Sequence, residues 1–313
     1  PNGDVYATAN AGPGVGGMVQ FDGIRWIGHN NLNYGLGHGW PFNTDNSSRV
    51  FWRNSTNTLL ANPMFEGVHE YSNQGWTNIG FGYPTVGGLA EDAKGRLWAG
   101  HSGGILLRTG NTWTQVSGNG GEKIVPDPSR PGTVVAMGMT TITRTNGTTT
   151  QQWDLSEFPM LDTQSDQFKG IAVAANGVVW IGANTINLPD NSVVIKLNMN
   201  SGTYVTYERG VNWPFPGEYV MPLAATNDGR IWMQYDSDYL TALRGLFWFD
   251  GKKKHVFPAP PNGEPQWGGL PHAGIADCEV KQFRGGYELW MSTMSRGIAV
   301  LKVTPTTRIK SPQ

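Results

Sequence analysis

Seven apolar pairs recur along the chain at a nearly even interval, and this recurrence constrains the fold more than any other feature. They are Val5-Tyr6, Phe51-Trp52, Leu97-Trp98, Val134-Val135, Val179-Trp180, Ile231-Trp232 and Leu289-Trp290. From Tyr6 to Trp290 the six intervals average about 47 residues, the period of a compact multi-strand repeat. Most pairs are followed by a second strand-like run, often opened by glycine, as in GMVQF at 17, GVHEY at 67, GILLR at 104, GLFWF at 245 and GIAVL at 297. Nine residues after Gly17, Gly67 and Gly104 stand Trp26, Trp76 and Trp113, which mark a further strand in fixed register. Upstream of the pairs lie short runs of small and apolar residues, VGGLAED at 86, KGIAVAA at 169, MPLAATN at 221 and AGIADCE at 273.

Each unit therefore reads as four antiparallel strands, with Asn176-Gly177, Asn227-Asp228-Gly229 and Gly285-Gly286 as turn residues between the first two. Seven such units predict an all-β chain, a seven-bladed β-propeller of four-stranded antiparallel blades. It is expected to form a single domain over 1–313, with blades near 1–28, 36–80, 85–117, 120–156, 168–208, 219–257 and 271–313. The first unit begins at its second strand and lacks the innermost one, and the tail TTRIKSPQ is expected to form the outer strand of the last. Trp52, Trp98, Trp180, Trp232 and Trp290 are expected to pack between blades. The 43 Gly, 20 Pro and only 15% charged residues suit short strands and tight turns and disfavour long helices.

A formal net charge of −1 argues against a nucleic-acid partner, whose counterions a binding protein replaces with concentrated positive charge. The one basic run, Lys252 to Lys254, reads as a solvated hairpin turn. No apolar segment reaches the roughly 18 residues that span a bilayer, so no membrane insertion is expected, and no signal peptide is visible. The chain opens on Pro1 rather than Met, as a processed or excised piece would. Its single cysteine, Cys278, excludes an internal disulfide and a Cys-pair zinc site, and reads as a small buried hydrophobe. Low charge and the sequons at Asn46, Asn54 and Asn146 point to an extracytoplasmic location, secreted or periplasmic.

The repeat resembles that of the two-component regulator propellers, in which a short apolar strand leads through Asp and Gly to Leu-Trp-Ile-Gly and then a Gly-Leu strand. The nearest copies are GLPHAGIADCEV and YELWMSTMSRGIAVL within 269–301, VGGLAEDAKGRLWAGHSGGILL at 86–107 and NGVVWIGA at 176. The resemblance covers essentially the whole chain and implies a sensor-type or free secreted propeller. Members of that family usually carry more repeats and continue into a membrane span and a kinase, which this chain does not contain. Streptogramin lyase is a more distant likeness. Its Pro-Asp-Gly and Trp-Phe-Thr-Glu pattern is absent, so no catalytic residue carries over.

In an antiparallel meander the connections between strands two and three, and those between units, emerge on one face, which is expected to bind ligand. The long segments 28–41, 156–167, 209–219 and 258–272, with insertions at 53–66, 183–192 and 234–244, are assigned to it. Two of them share Trp-Pro-Phe, at Trp40 and Trp213, and a third holds Trp267. Aromatic faces on Pro- and Gly-rich loops suit a small molecule or glycan, with Tyr83, Glu218, Tyr235, Tyr239 and Arg296 as further contacts. His38, His101 and His272 are the weak catalytic candidates for the alternative, a lyase or hydrolase using a loop His with Glu264, Asp236, Asp238 or a tyrosine. A protein-interaction scaffold would use the same face with a larger footprint. No metal-ligand spacing or cofactor motif is found, so neither metal nor cofactor is expected. GPGVGG at 12–17 joins two strands and precedes no helix, which excludes a phosphate loop.

Overall fold

The computed structural model describes residues 4–9, 17–30, 33–34, 42, 47–63, 65–80, 86–185, 192–236, 244–258, 270, 274–293 and 297–304. They form seven separate antiparallel sheets, and the fold is a seven-bladed β-propeller. The chain divides into two compact units, residues 1–158 and 159–313. Among the described residues the only helical element is a single 3-10 turn, Leu155–Glu157, and no helix is long and apolar enough to cross a membrane.

The first unit holds four sheets. They are β1 (Val5–Ala9), β2 (Gly17–Phe21), β3 (Trp26–Asn30) and β4 (Asn33–Tyr34); β5 (Ser47–Arg53), β6 (Thr58–Pro63), β7 (His69–Ser72) and β8 (Gly75–Asn78); β9 (Gly88–Glu91), β10 (Leu97–His101), β11 (Gly104–Thr109) and β12 (Thr112–Ser117); and β13 (Lys123–Pro126), β14 (Val134–Met137), β15 (Thr141–Thr145) and β16 (Thr150–Asp154). The second unit holds β17 (Asp166–Val173), β18 (Val178–Thr185), β19 (Val193–Asn198) and β20 (Tyr204–Glu208); β21 (Tyr219–Ala225), β22 (Ile231–Asp236), β23 (Arg244–Phe249) and β24 (Lys254–Pro258); and β25 (Ile275–Phe283), β26 (Gly286–Thr293) and β27 (Ile298–Val303). The last sheet has three strands among the described residues, and the tail assigned to its outer strand lies outside them.

Five of the seven pairs fall on second strands: Leu97-Trp98 on β10, Val134-Val135 on β14, Val179-Trp180 on β18, Ile231-Trp232 on β22 and Leu289-Trp290 on β26. Phe51-Trp52 does not. It lies on β5, the first strand of its sheet, and the second strand is β6, with Leu59-Leu60 in its buried centre. The segment 53–66, assigned as a loop insertion, therefore contains a strand. In the first sheet Val5-Tyr6, Gly17 and Trp26 sit on β1, β2 and β3 as Leu97-Trp98, Gly104 and Trp113 sit on β10, β11 and β12. The fourth strand there is the two-residue β4, added at the β3 edge. Among the described residues no strand pairs with the other edge of β1.

The Asp-x-x-Gly that precedes Leu97-Trp98 has a physical explanation. One Asp92 oxygen accepts the Lys94 and Arg96 backbone N–H groups at 2.8 and 3.2 Å and closes the turn. The other accepts the Arg96 Nε–H and the Trp98 Nε1–H, both at 2.8 Å, which ties the turn to the buried indole. Gly95 closes the turn at φ +74°, a conformation that favours glycine. Burial alone would push the Asp92 carboxyl up; the Trp98 indole, the two backbone amides and the Arg96 guanidinium outweigh it and hold it below the usual carboxylate range. The corresponding positions are Asp127, which pairs with the buried Arg144, then Ala174 and Thr226. Where Thr226 replaces the acid, the Trp232 indole donates instead to the Tyr287 hydroxyl of the next sheet at 3.2 Å.

Apolar faces of successive sheets bury one another. Trp98 with Ala90 and Ile105 packs on Ile124, Val134 and Ala136, and Trp180 with Ala172 and Val194 packs on Phe215, Val220 and Phe249. Trp98, Trp180 and Trp232 are buried, whereas Trp52 and Trp290 are only partly so. Glycines on the first and second strands permit this approach: a Cβ on Gly88 of β9 would lie 2.7 Å from the Ile124 nitrogen, and one on Gly182 of β18 would lie 2.7 Å from the Val220 carbonyl oxygen.

Candidate functional site

In the second unit the β20–β21 connection lies against the end of β22, and there three sequence-assigned residues meet. The turn after β20 is fixed by Asn212, whose side chain accepts the Glu208 backbone N–H at 2.7 Å and donates to the Thr206 carbonyl at 2.9 Å. Trp213 follows, partly buried, its Nε1–H donating to the Gly217 carbonyl at 2.9 Å. Its ring stands edge-on to Phe215 at 4.9 Å, and Phe215 is sunk in the core between the two sheets. The Lys254 ammonium donates to the Pro214 carbonyl at 2.5 Å and holds the same loop from below. Glu218 pairs with Arg209 across the loop, both side chains partly exposed. Its backbone N–H donates to the Asp236 carbonyl at 2.8 Å.

Tyr235 lies beneath this loop rather than on it. It is buried against Phe247, and burial raises its hydroxyl above the ordinary tyrosine range. A Cβ on Gly217 would come within 3.0 Å of the Tyr235 ring and 2.7 Å of the Asp236 carbonyl oxygen, so Gly217, at φ +70°, is required twice over. Tyr219, paired across the strands with Asp236, is pushed up to about 12 by burial and then by that carboxylate. Neither phenol is placed to ionise near neutrality. The loop thus holds a partly buried indole together with a partly exposed, mutually paired guanidinium and carboxylate.

His101 ends β10 in the first unit, 5% exposed. Its Nδ1 accepts the Gly103 backbone N–H at 3.0 Å, and a Cβ on Gly103 would strike the ring at 2.7 Å. Burial holds it below the usual imidazole range. It is sealed beneath a glycine turn, an arrangement suited to packing more than to proton transfer with a solute. His38, Trp40, Tyr83, Tyr239, Trp267, His272 and Arg296, with Asp238 and Glu264, lie outside the described residues. A polar cavity of about 290 Å³ opens at the other end of the β13–β16 sheet, with Arg130, Arg144, Thr145 and Thr149 in its wall. Arg144 there is committed to Asp127 and Ser129.

No family model matches the chain, and no curated protein does. Solved structures do. An ancestral GH74 enzyme superimposes with a TM-score of 0.62 at 13% identity, over 91% of this chain and 41% of that one. The extracellular domain of a protein assigned as a hybrid two component system in B. thetaiotaomicron gives 0.57 at 14%, over 97% and 40%. A puromycin-hydrolyzing peptidase of Mycobacterium tuberculosis gives 0.58 at 9%, over 98% and 51%. The likeness is one of fold. The chain spans about two fifths to one half of the length of these proteins. The two-component propeller resemblance read from the repeats thus has a structural counterpart in the second of them, while the other two carry enzymes on the same architecture.

Proposed function

We propose that the chain is a non-enzymatic, extracytoplasmic recognition propeller that binds a small molecule or glycan on its loop face. The observation that carries this reading is the seat of Trp213. Its indole N–H donates to Gly217 and its ring packs edge-on against Phe215, which fix it, and the same loop carries the Arg209–Glu218 pair. A rigid aromatic face next to charged hydrogen-bonding groups is what an amphipathic ring needs, and its rigidity lowers the ordering cost of binding. Glu218 belongs to this site, with Tyr235 as its floor. Trp40, Trp267, Tyr83, Tyr239 and Arg296 remain proposed contacts from the sequence. The sensor ectodomain with the same fold supports an extracytoplasmic recognition role. The enclosed ring of His101 gives the hydrolase or lyase alternative less support.

The test is a glycan-array screen of the whole chain read with intrinsic tryptophan fluorescence, followed by titration of any hit against Trp213→Ala. Because Trp213 also packs on the core, this change is expected to cost about 2 kcal/mol, and binding is measured well below the transition. The expected result is a loss of affinity of about tenfold or more. Unchanged affinity would remove Trp213 from the site. Turnover of the hit, abolished by His101→Ala, would replace recognition with catalysis.

A further inference from the structure

The cavity of the first unit opens between two turns of one sheet, β13–β14 and β15–β16, and its volume of about 290 Å³ lies at the small end of ligand clefts. Both turns are fixed from within. Asp127 accepts the Ser129 backbone N–H at 2.9 Å and the Ser129 hydroxyl at 2.6 Å, and its own N–H donates to the Thr133 carbonyl at 2.8 Å. In the other turn Asn146 accepts the Thr148 and Thr149 N–H groups, both at 2.8 Å, and the Thr145 hydroxyl donates to the Thr149 carbonyl at 3.1 Å. Arg96 of the preceding sheet ties the two turns together, donating to the Gly132 carbonyl and, at 3.0 Å, to the Asn146 carbonyl. The walls are therefore set before a ligand arrives, which lowers the cost of binding.

Within this frame several polar groups have no task in the fold. Thr133 lines the cavity and is 8% exposed, yet its hydroxyl makes no hydrogen bond among the described residues, where a buried hydroxyl ordinarily has a partner. The Thr149 hydroxyl and the Gln151 amide, in the same wall, are likewise unused. Gln151 stands opposite Arg144 across the β15–β16 pair. Beside Thr133, the Lys94 side chain lies along Gly132: a Cβ on that glycine would come within 2.7 Å of the Lys94 Cε and 3.1 Å of its Nζ. The Lys94 ammonium is in no ion pair among the described residues.

We propose that this cavity is a second binding site, for a small oxyanion: a carboxylate, sulfate or phosphate group carried by a polar molecule no larger than a monosaccharide. The sign of the charge follows from the wall, in which no carboxylate stands among the lining residues. Arg96 is balanced by Asp92, and Arg144 by Asp127, so Lys94 leaves the surroundings with positive charge in excess. Arg144, engaged by Asp127 and Ser129, supplies a fixed positive edge rather than an unused donor. The unused groups, two hydroxyls, an amide and an ammonium, all donate to an anion. No aromatic residue lines the cavity, so a neutral sugar finds no ring to stack on. The site lies in the first unit and does not rest on the reading of Trp213 in the second.

The experiment titrates the whole chain with sodium sulfate, sodium phosphate and sodium glucuronate at constant ionic strength, with glucose as the neutral control. Saturable binding of at least one anion is expected, with a Kd of about 1 mM or tighter, and none of glucose. The anion bound most tightly shows which group the ligand carries. Lys94→Gln and Thr133→Val should each weaken it at least about fivefold. Lys253→Gln, which removes the same charge from the exposed β23–β24 turn, should leave it unchanged. Thr133→Val keeps the shape of the side chain and Lys94 is exposed, so both variants should keep their Tm within about 3 °C. The proposal is overturned by the absence of saturable binding for all three anions, by glucose binding as tightly as they do, or by affinities that Lys94→Gln and Thr133→Val leave unchanged. Equal weakening by Lys253→Gln would overturn it too, since net charge alone would then account for the binding.

Discussion

Asp92 shows how a single carboxylate ties a repeat together. Its two oxygens accept four donors, two from the turn, one from the Arg96 guanidinium and one from the buried Trp98 indole. Asp92→Asn leaves one oxygen and adds an N–H that faces donors, so the loss is expected to be about 2–4 kcal/mol. The pH dependence carries the same signature. The folded carboxyl lies below its unfolded value, so its contribution is present above about pH 4 and is lost as the pH falls through the folded value. Thermal melts of both proteins from neutrality to about pH 3 should therefore converge at the acid end. A constant offset across the range would mean that the charge on Asp92 contributes nothing and only its shape matters.

At the scale of elements, neighbouring sheets of the first unit are clasped by charge as well as by apolar packing. Glu70 on β7 lies 3.5 Å from Arg53 on β5 and 3.8 Å from Arg108 on β11 of the next sheet, and accepts the Thr58 hydroxyl at 2.6 Å. Arg53 reaches Glu91 on β9 at 3.6 Å. Glu70→Gln leaves two mostly buried guanidiniums with one carboxylate between them, and an equilibrium denaturation midpoint reporting a loss of about 2 kcal/mol is expected. The double variant Glu70→Gln with Arg108→Met should recover part of it; strict additivity would count against the clasp. None of this was legible in the sequence, since contacts between sheets leave no local pattern. The repeat itself was legible because β10, β18, β22 and β26 each carry an apolar-aromatic pair. It failed at Phe51-Trp52 for a definite reason: β5 imitates the pair one strand early, while the true second strand, β6, has two leucines and no tryptophan. The candidate site divides the same way. Pro214 and the glycines around Trp213 marked its loop as fixed, but the burial of Tyr235 depends on Phe247, a contact between strands that no local pattern announces.

At the scale of the molecule, three of the described histidines supply a response to mild acid. His29, His69 and His101 are all held below the ordinary imidazole range, in each case chiefly by burial, although Glu66 and the Gly67 backbone oppose the effect at His69. The hydrogen bonds agree with neutral rings. Asp4 takes the Gln20 amide N–H at 2.6 Å, which leaves the Gln20 oxygen to accept from His29 Nε2 at 3.1 Å, and His101 Nδ1 must stay unprotonated to accept from Gly103. A ring that takes up its proton more readily unfolded than folded makes stability fall with pH. The loss begins near the unfolded value of about 6.5 and grows until the folded values are passed. The Tm is therefore expected to decline between about pH 7.5 and 5.5, a range in which the carboxylates stay ionised. His29→Gln, which keeps a hydrogen-bonding side chain but cannot titrate, should flatten part of that slope. A slope unchanged in the variant, with the His29 imidazole resonances titrating at their ordinary midpoint, would place the ring in water rather than in the core and undo the assignment of β3 as a packed strand.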